Sequence, residues 1–296
     1  MKKLFYLFSL VLIALTSCDS EMGEEYTPIL TKYVDKITHV NGSVIALEYD
    51  SDMRVKKVTY TDALDAANSR VYEVGYNLDM TNNTVTFDIF CGENKYIMRF
   101  NEYGALSNFV LDGTTQQVLS SFYYDKHSSI GVFHLELQGI VDNLTGGETK
   151  RIDWSSYGVP ANQINEIHKT IEGTTYTYST SIQYNYLATR SNVHANVNLF
   201  NLLTPEFLEH SNIPIELAAT VSVFGTRSNY LPTDITIVKG RTEAGENYVK
   251  VSEEEREFSY DADENGYILK IYTGKDDNNT KELLYTITYA NVDIKE

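Results

Sequence analysis

Cysteine, tryptophan and proline are nearly missing from this chain, with two, one and five residues among 296. Two cysteines cannot build a disulfide scaffold or a thiolate zinc site. No apolar run reaches the roughly 20 residues that a membrane-spanning helix needs. Positive charge is scarce as well: Lys+Arg 24 against Asp+Glu 41 leaves a formal charge of -17. Such a balance repels phosphate polymers and disfavours a nucleic acid partner. What the chain has in quantity is Tyr 23 and Phe 12, within an otherwise globular composition of 42% hydrophobic and 22% charged residues. Abundant tyrosine with little proline suits half-buried strands.

The N-terminus carries a leader. Lys2 and Lys3 precede an apolar run from Leu4 to Leu15, broken only by Ser9 and followed by Thr16, Ser17 and Cys18. A basic start, an apolar centre and a small-residue exit make a secretory signal peptide. The exit Leu15-Thr16-Ser17-Cys18 resembles a bacterial lipobox. That resemblance implies removal of residues 1–17 and acylation of Cys18, which would anchor the protein to a membrane through several acyl chains. An ordinary secretory signal that contains a cysteine is the alternative. Loss of Lys2 and Lys3 takes the formal charge from -17 to about -19. The next positions include Asp19, Glu21, Glu24 and Glu25, so residues 18–35 read as a solvated acidic tether. It resembles the acidic signal that sends Bacteroidetes lipoproteins to the outer cell surface. The location this implies is the outer membrane, lipid-anchored and facing outward, with a spacer on the periplasmic face as the other reading.

From residue 36 to 296 the dominant pattern is alternation with period two, the mark of strands with one buried face. Tyr176, Tyr178, Thr180, Ile182, Tyr184 and Tyr186 share one parity, against Thr177, Ser179, Ser181, Gln183 and Asn185. Val85, Phe87 and Ile89 repeat it, as do Tyr285, Ile287 and Tyr289, and Val193, Ala195, Val197 and Leu199. Polar turn clusters punctuate the runs, among them Asn41-Gly42, Asp112-Gly113 and Asn265-Gly266. Connections this short join antiparallel neighbours, so the reading is a meander of about fourteen to sixteen strands. Twist would curl a sheet that long into a barrel or half-barrel, or fold it into two layers. Two short helices are expected: Thr204 through His210, with Thr204 as N-cap before Pro205, and more weakly Val159 through His168.

A degenerate repeat runs through the chain: Leu47-Glu48-Tyr49-Asp50, Phe122-Tyr123-Tyr124-Asp125 and Phe258-Ser259-Tyr260-Asp261 each lead through a polar turn into a new strand. Together with the lipobox, Tyr230-Leu231-Pro232-Thr233-Asp234-Ile235 and Asp261-Ala262-Asp263-Glu264-Asn265-Gly266-Tyr267, these hairpins resemble a group of Bacteroidetes lipoproteins of unknown function with a porin-like fold. The resemblance implies a large antiparallel all-β sheet, curved into a porin-like barrel or half-barrel, and carries over no catalytic residue.

Chemistry-bearing motifs are sparse. Zinc-helix, nucleophile-elbow, phosphate-loop and dinucleotide patterns are missing, and the six histidines are scattered. No cofactor is expected. Asp261, Asp263 and Asn265, followed by Gly266, match the first half of an EF-hand loop, but Tyr272 stands where the bidentate acid belongs. The stretch therefore reads first as a hairpin turn and second as a weak calcium site. Trp154 and Tyr157, in a polar stretch, are the candidates for an exposed aromatic contact with a ligand. Most tyrosines share parity with Ile and Val and belong to the sheet face. A membrane-inserted barrel fits the alternation, but the aromatics form no girdles and the end Asp293-Ile294-Lys295-Glu296 lacks a terminal aromatic. These observations favour a non-catalytic envelope lipoprotein that binds or scaffolds, its partners the membrane and a glycan or another envelope protein. The alternatives are a glycan-binding component of polysaccharide uptake and a glycoside hydrolase with paired carboxylates.

Overall fold

The computed structural model describes residues 32–79, 84–100, 106–127, 132–138, 148–154, 160–186, 197–205, 212–221, 231–274 and 281–291. Alternation becomes strand almost everywhere. The first eight are β1 (Lys32–His39), β2 (Val44–Tyr49), β3 (Val55–Thr61), β4 (Arg70–Asp79), β5 (Thr84–Cys91), β6 (Asn94–Phe100), β7 (Leu106–Asp112) and β8 (Gln117–His127). Then follow β9 (Val132–Gln138), β10 (Glu148–Trp154), β11 (Pro160–Ile171) and β12 (Thr174–Tyr186). Two helices, α1 (Leu199–Leu203) and α2 (Ile215–Thr220), precede β13 (Pro232–Glu243), β14 (Val249–Ala262), β15 (Ile268–Thr273) and β16 (Glu282–Asn291).

Every strand pairs antiparallel with its sequence neighbours, and β1 also pairs with β16, so the meander closes into a sixteen-stranded barrel. Closure answers the edge problem of a long sheet, because it leaves no unpaired rim strand. β1 starts and β16 finishes at one end of this barrel, here the entry end. The β1–β2, β3–β4, β11–β12 and β13–β14 turns lie at the opposite, far end.

Residues opposite one another across a ladder share a face. One such row is Leu47, Val58 and Tyr72; another is Tyr76, Phe87, Met98 and Phe109; a third joins Ile182 to Ile237. These rows point inward and supply much of the buried core. The opposite parity reads Glu48, Lys57 and Glu73 in one row and Gln183, Thr236 and Glu255 in another. In these rows the wall is apolar inside and polar outside; the outward face of β5 to β7 departs from this, with Phe90, Ile97 and Val110 on it. A membrane porin has the reverse polarity, with an apolar band facing lipid and a wet interior.

Sixteen strands enclose a space too wide for wall side chains alone to fill. Of the segment between β12 and β13, residues 197–205 and 212–221 pack into it. Leu199, Leu202 and Leu203 give α1 an apolar stripe, and α2 buries Leu217, Ala218 and Ala219 against it. Asn201 Nδ2 donates to the Ala218 carbonyl at 2.8 Å, and Asn198 N–H donates to that of Ala219. β4 lies eight strands from β12 one way round the ring and seven from β13 the other. A contact from α2 to β4 therefore spans the lumen.

Several expectations change in detail. Residues 160–168 are strand, not helix: Ile164 and Ile167 have helical spacing, but β10 and β12 supply hydrogen-bond ladders on both sides. Leu199 opens a helix and does not continue an alternating strand, because β12 is already paired with β11 and β13 and offers no edge to extend. Thr204 lies just past α1 and Pro205 is in 3-10 conformation, in keeping with the expected helix start there; 206–210 lie outside the described residues. β1 starts at Lys32, slightly before the expected domain start.

Candidate functional site

The lumen is latched. Tyr72, on the inner face of β4, donates its hydroxyl to Glu216 Oε1 of α2 at 2.7 Å, and Glu216 is only 7% exposed. Burial first, then the Glu216 carboxyl, pushes the Tyr72 phenol well above its usual range. Asn212 Nδ2 donates to the Leu119 carbonyl of β8 at 2.9 Å, and Tyr184 OH donates to the buried Gln163 Oε1 at 3.1 Å. The Tyr72–Glu216 and Tyr184–Gln163 links satisfy polar groups that an apolar interior would otherwise penalise, while the Asn212 link is exposed.

Much of the tyrosine surplus is structural. At the entry end Tyr49, Tyr76, Tyr260 and Tyr289 donate their hydroxyls to the backbone carbonyls of Val34, Val55, Pro232 and Ile268, at 2.7, 2.8, 2.5 and 2.7 Å. Each ring bridges the foot of its own strand to the start of a preceding one. Burial raises the phenol pKa of Tyr260 and Tyr289, and pushes Tyr285 up to about 12.

The proposed calcium residues fall in a turn of this end. Asp263 Oδ1 accepts the amides of Asn265 and Tyr267, both at 2.9 Å, and its Oδ2 meets Lys32 Nζ at 2.8 Å. The Lys32 hydrogen bond holds the Asp263 carboxyl below its ordinary value. Lys32 also lies over the Tyr267 ring, 5.0 Å from its centroid. The Lys32 ammonium thus competes for the Asp263 carboxylate on which the expected calcium site would draw. Asp261 instead accepts the Tyr272 hydroxyl at 2.6 Å. The β2–β3 turn is built the same way: Asp50 Oδ1 accepts the amides of Asp52 and Arg54, both at 2.9 Å. Met53 and Gly266 take the matching left-handed position, with φ of 59° and 82°. In space, then, Asp50 corresponds to Asp263, two residues beyond the correspondence the sequence repeat suggests.

At the far end β11 to β14 run 12, 13, 12 and 14 residues, against 6 to 8 in β1 to β3. The surplus projects. Both faces of residues 249–255 are exposed, and the tip carries Tyr248, Val249 and Val251 at 50%, 55% and 67% exposure. Tyr248 lies across Gly240, where any side chain would collide with its ring. On the inner face of this projection Lys169 pairs with Tyr176, Tyr178 with Arg241, and Thr180 with Lys239. The Tyr176 and Tyr178 rings lie 6.4 Å apart, and Lys169 Nζ sits 5.7 Å from the Tyr178 centroid. Arg256 and then Lys239 lower the Glu254 pKa, which places both cations beside that acid. In a chain of charge -17, four cations on one face are a local inversion.

Trp154 ends β10 opposite Pro160; the leader, Cys18, tether residues 19–31 and Tyr157 lie outside the described residues, and residues 32–35, expected in the tether, belong to β1. Cys91 is a half-buried free thiol on β5. His39 packs against Tyr285 at 4.9 Å, and His168 Nδ1 meets Thr177 Oγ1 at 2.9 Å. Among the described residues no group of three His, Cys, Asp or Glu side chains is placed to hold a metal ion. Sequence reasoning singled out neither the Tyr72–Glu216 latch nor the cationic face. The second had a signal: Lys169, Lys239 and Arg241 alternate in phase with core residues of their strands, beyond the point where those residues stop being apolar.

No family model matches the chain, and no curated protein matches it. Its fold is similar to the crystal structure of a porin-like protein from Bacteroides vulgatus ATCC 8482, with a TM-score of 0.51 and 15% identity. That alignment covers 88% of this chain and 100% of the other. A porin-like protein from Bacteroides uniformis ATCC 8492 aligns with a TM-score of 0.45 and 13% identity, over 88% of this chain and 98% of that one. The chain has a porin-like antiparallel fold, with polar residues where a porin meets lipid.

Proposed function

We propose that this chain is a lipid-anchored envelope module that binds or scaffolds, and that its barrel neither conducts nor catalyses. The carrying observation is the polarity of the wall, apolar toward a filled lumen and polar toward the outside. Such a barrel has no reason to enter lipid, so membrane attachment falls to acylated Cys18. The tether joins β1 at the entry end, where Lys32 clamps the strand to Asp263 across β16. Anchored there, the β11–β14 projection points away from the membrane, toward the outside of the cell if the acidic tether acts as a surface signal. A glycan-binding role is the second reading, favoured by the adjoining Tyr176 and Tyr178 rings on that projection.

Two measurements on the full chain test the proposal. Mass spectrometry of the mature N-terminus should find acyl chains on Cys18, and planar bilayers should show no current steps. Ohmic conductance steps, or an unmodified N-terminus, would overturn it.

A further inference from the structure

We propose that the inner face of the β11–β14 projection binds a carboxylated polysaccharide, an inference that rests on reading the chain as a binding module and names its ligand class. Lys239 and Arg241 are two positions apart on one strand, about 7 Å, and Lys169 lies two strands and one such step away, roughly 12 Å. Cations at that spacing fit charges distributed along a polymer, and no single small anion could touch them all. The face is exposed at Lys169, Lys239 and Arg241, so those charges meet solvent and whatever approaches from it.

Between the cations lie Tyr176 and Tyr178, whose ring faces accept the apolar side of a sugar and whose hydroxyls can bond its oxygens. Lys169 already rides over Tyr178, which leaves Tyr176 as the stacking ring and puts the ammonium where a neighbouring carboxylate would lie. Thr180 and Ser252, on the same face, add hydroxyls. The acids on this face, Glu243 and Glu254, set an upper limit on charge density. A ligand with one carboxylate per sugar can thread between them. A carboxylated sugar brings a ring face for Tyr176 and a charge for the cations in the same unit, whereas a phosphodiester polymer carries its charge in the linkage, away from its rings.

The test uses the full chain in detergent micelles and three immobilised polymers: polygalacturonate, neutral dextran and single-stranded DNA. Polygalacturonate should retain the protein, and retention should weaken as salt rises from about 50 to 200 mM. The double variant Lys239→Gln/Arg241→Gln should bind roughly tenfold more weakly. Tyr176→Ala should weaken binding and leave the salt dependence unchanged. All three positions lie outside the core, and an unchanged circular dichroism melt confirms the fold. Failure of polygalacturonate to bind, or unaltered binding by the Lys239/Arg241 variant, overturns the proposal. Equal retention on DNA, lost with the same variants, overturns the carbohydrate assignment. Retention on dextran alone, abolished by Tyr176→Ala, overturns the charge requirement and leaves the binding-module reading standing.

Discussion

Replacing Tyr72 by phenylalanine removes one oxygen from the middle of the barrel and leaves the ring in place. The lost bond is the 2.7 Å donation to Glu216 Oε1, which ties α2 to the wall opposite its point of entry. Removing one partner of a buried hydrogen bond to a carboxyl group costs about 1–3 kcal/mol, because the acceptor is left unpaired. For a domain of this length each kcal/mol lowers the melting temperature by about 2–4 °C, so Tyr72→Phe should lower it by roughly 2–12 °C. Glu216→Gln keeps an acceptor oxygen and should cost less. The assay is a double-mutant cycle of Tyr72→Phe with Glu216→Met, which removes the acceptor, on guanidinium melts followed by circular dichroism. A coupling of about 1–3 kcal/mol is expected between the two positions. Additive effects, with coupling below about 0.5 kcal/mol, would show that α2 is not held against β4. The lumen would then need another account.

Further outcomes follow from the entry-end turns and from the plug. Met53→Gly should stabilise the protein by up to about 1 kcal/mol by relieving a left-handed non-glycine residue, and Gly266→Ala should destabilise it by a similar amount. A chemical denaturation series reads both, and opposite signs are the signature of one turn built twice. Asp263 is held below its unfolded value of 3.8 and Lys32 above its unfolded value of 10.5. The pair therefore stabilises the fold fully between those values, and its contribution is lost as pH falls through the lowered Asp263 pKa or rises through the raised Lys32 pKa. Wild type should melt above Asp263→Asn across that window and converge with it in acid; an offset that persists in acid would refute the assignment. Leu217→Ala, at a fully buried site of α2, should cost about 2–5 kcal/mol. A loss below about 1 kcal/mol would indicate a loosely filled lumen.

The strands and their handedness of face were legible from the sequence because period two survives wherever one face is buried. Tyr184 and Ile182 point inward and Gln183 and Asn185 outward, as their parity implies. Closure was not legible, since nothing local in β1 or β16 encodes that the two meet. The plug was missed for two reasons. α1 and α2 are only 5 and 6 residues long, too short for a helical period to show. Leu199, the last position of an alternating run, also shares its parity with a strand pattern and yet opens a helix. The reverse error at 160–168 has the same root: tertiary pairing overrides a local apolar spacing. The weak calcium reading of Asp261, Asp263 and Asn265 followed the right residues to the right turn. What sequence could not reveal is that Lys32, 231 positions away, supplies the cation.

The polarity of the wall is tested most directly by spin labels on the lipid-anchored full chain, placed singly at Ser179, Ser181 and Gln183 with Cys91 replaced by serine. Collision rates with a water-soluble nickel complex and with lipid-soluble oxygen report what each label touches. High nickel and low oxygen accessibility at all three positions is the expected result. Oxygen-dominated relaxation at the same positions would place the outer face in lipid and contradict the account.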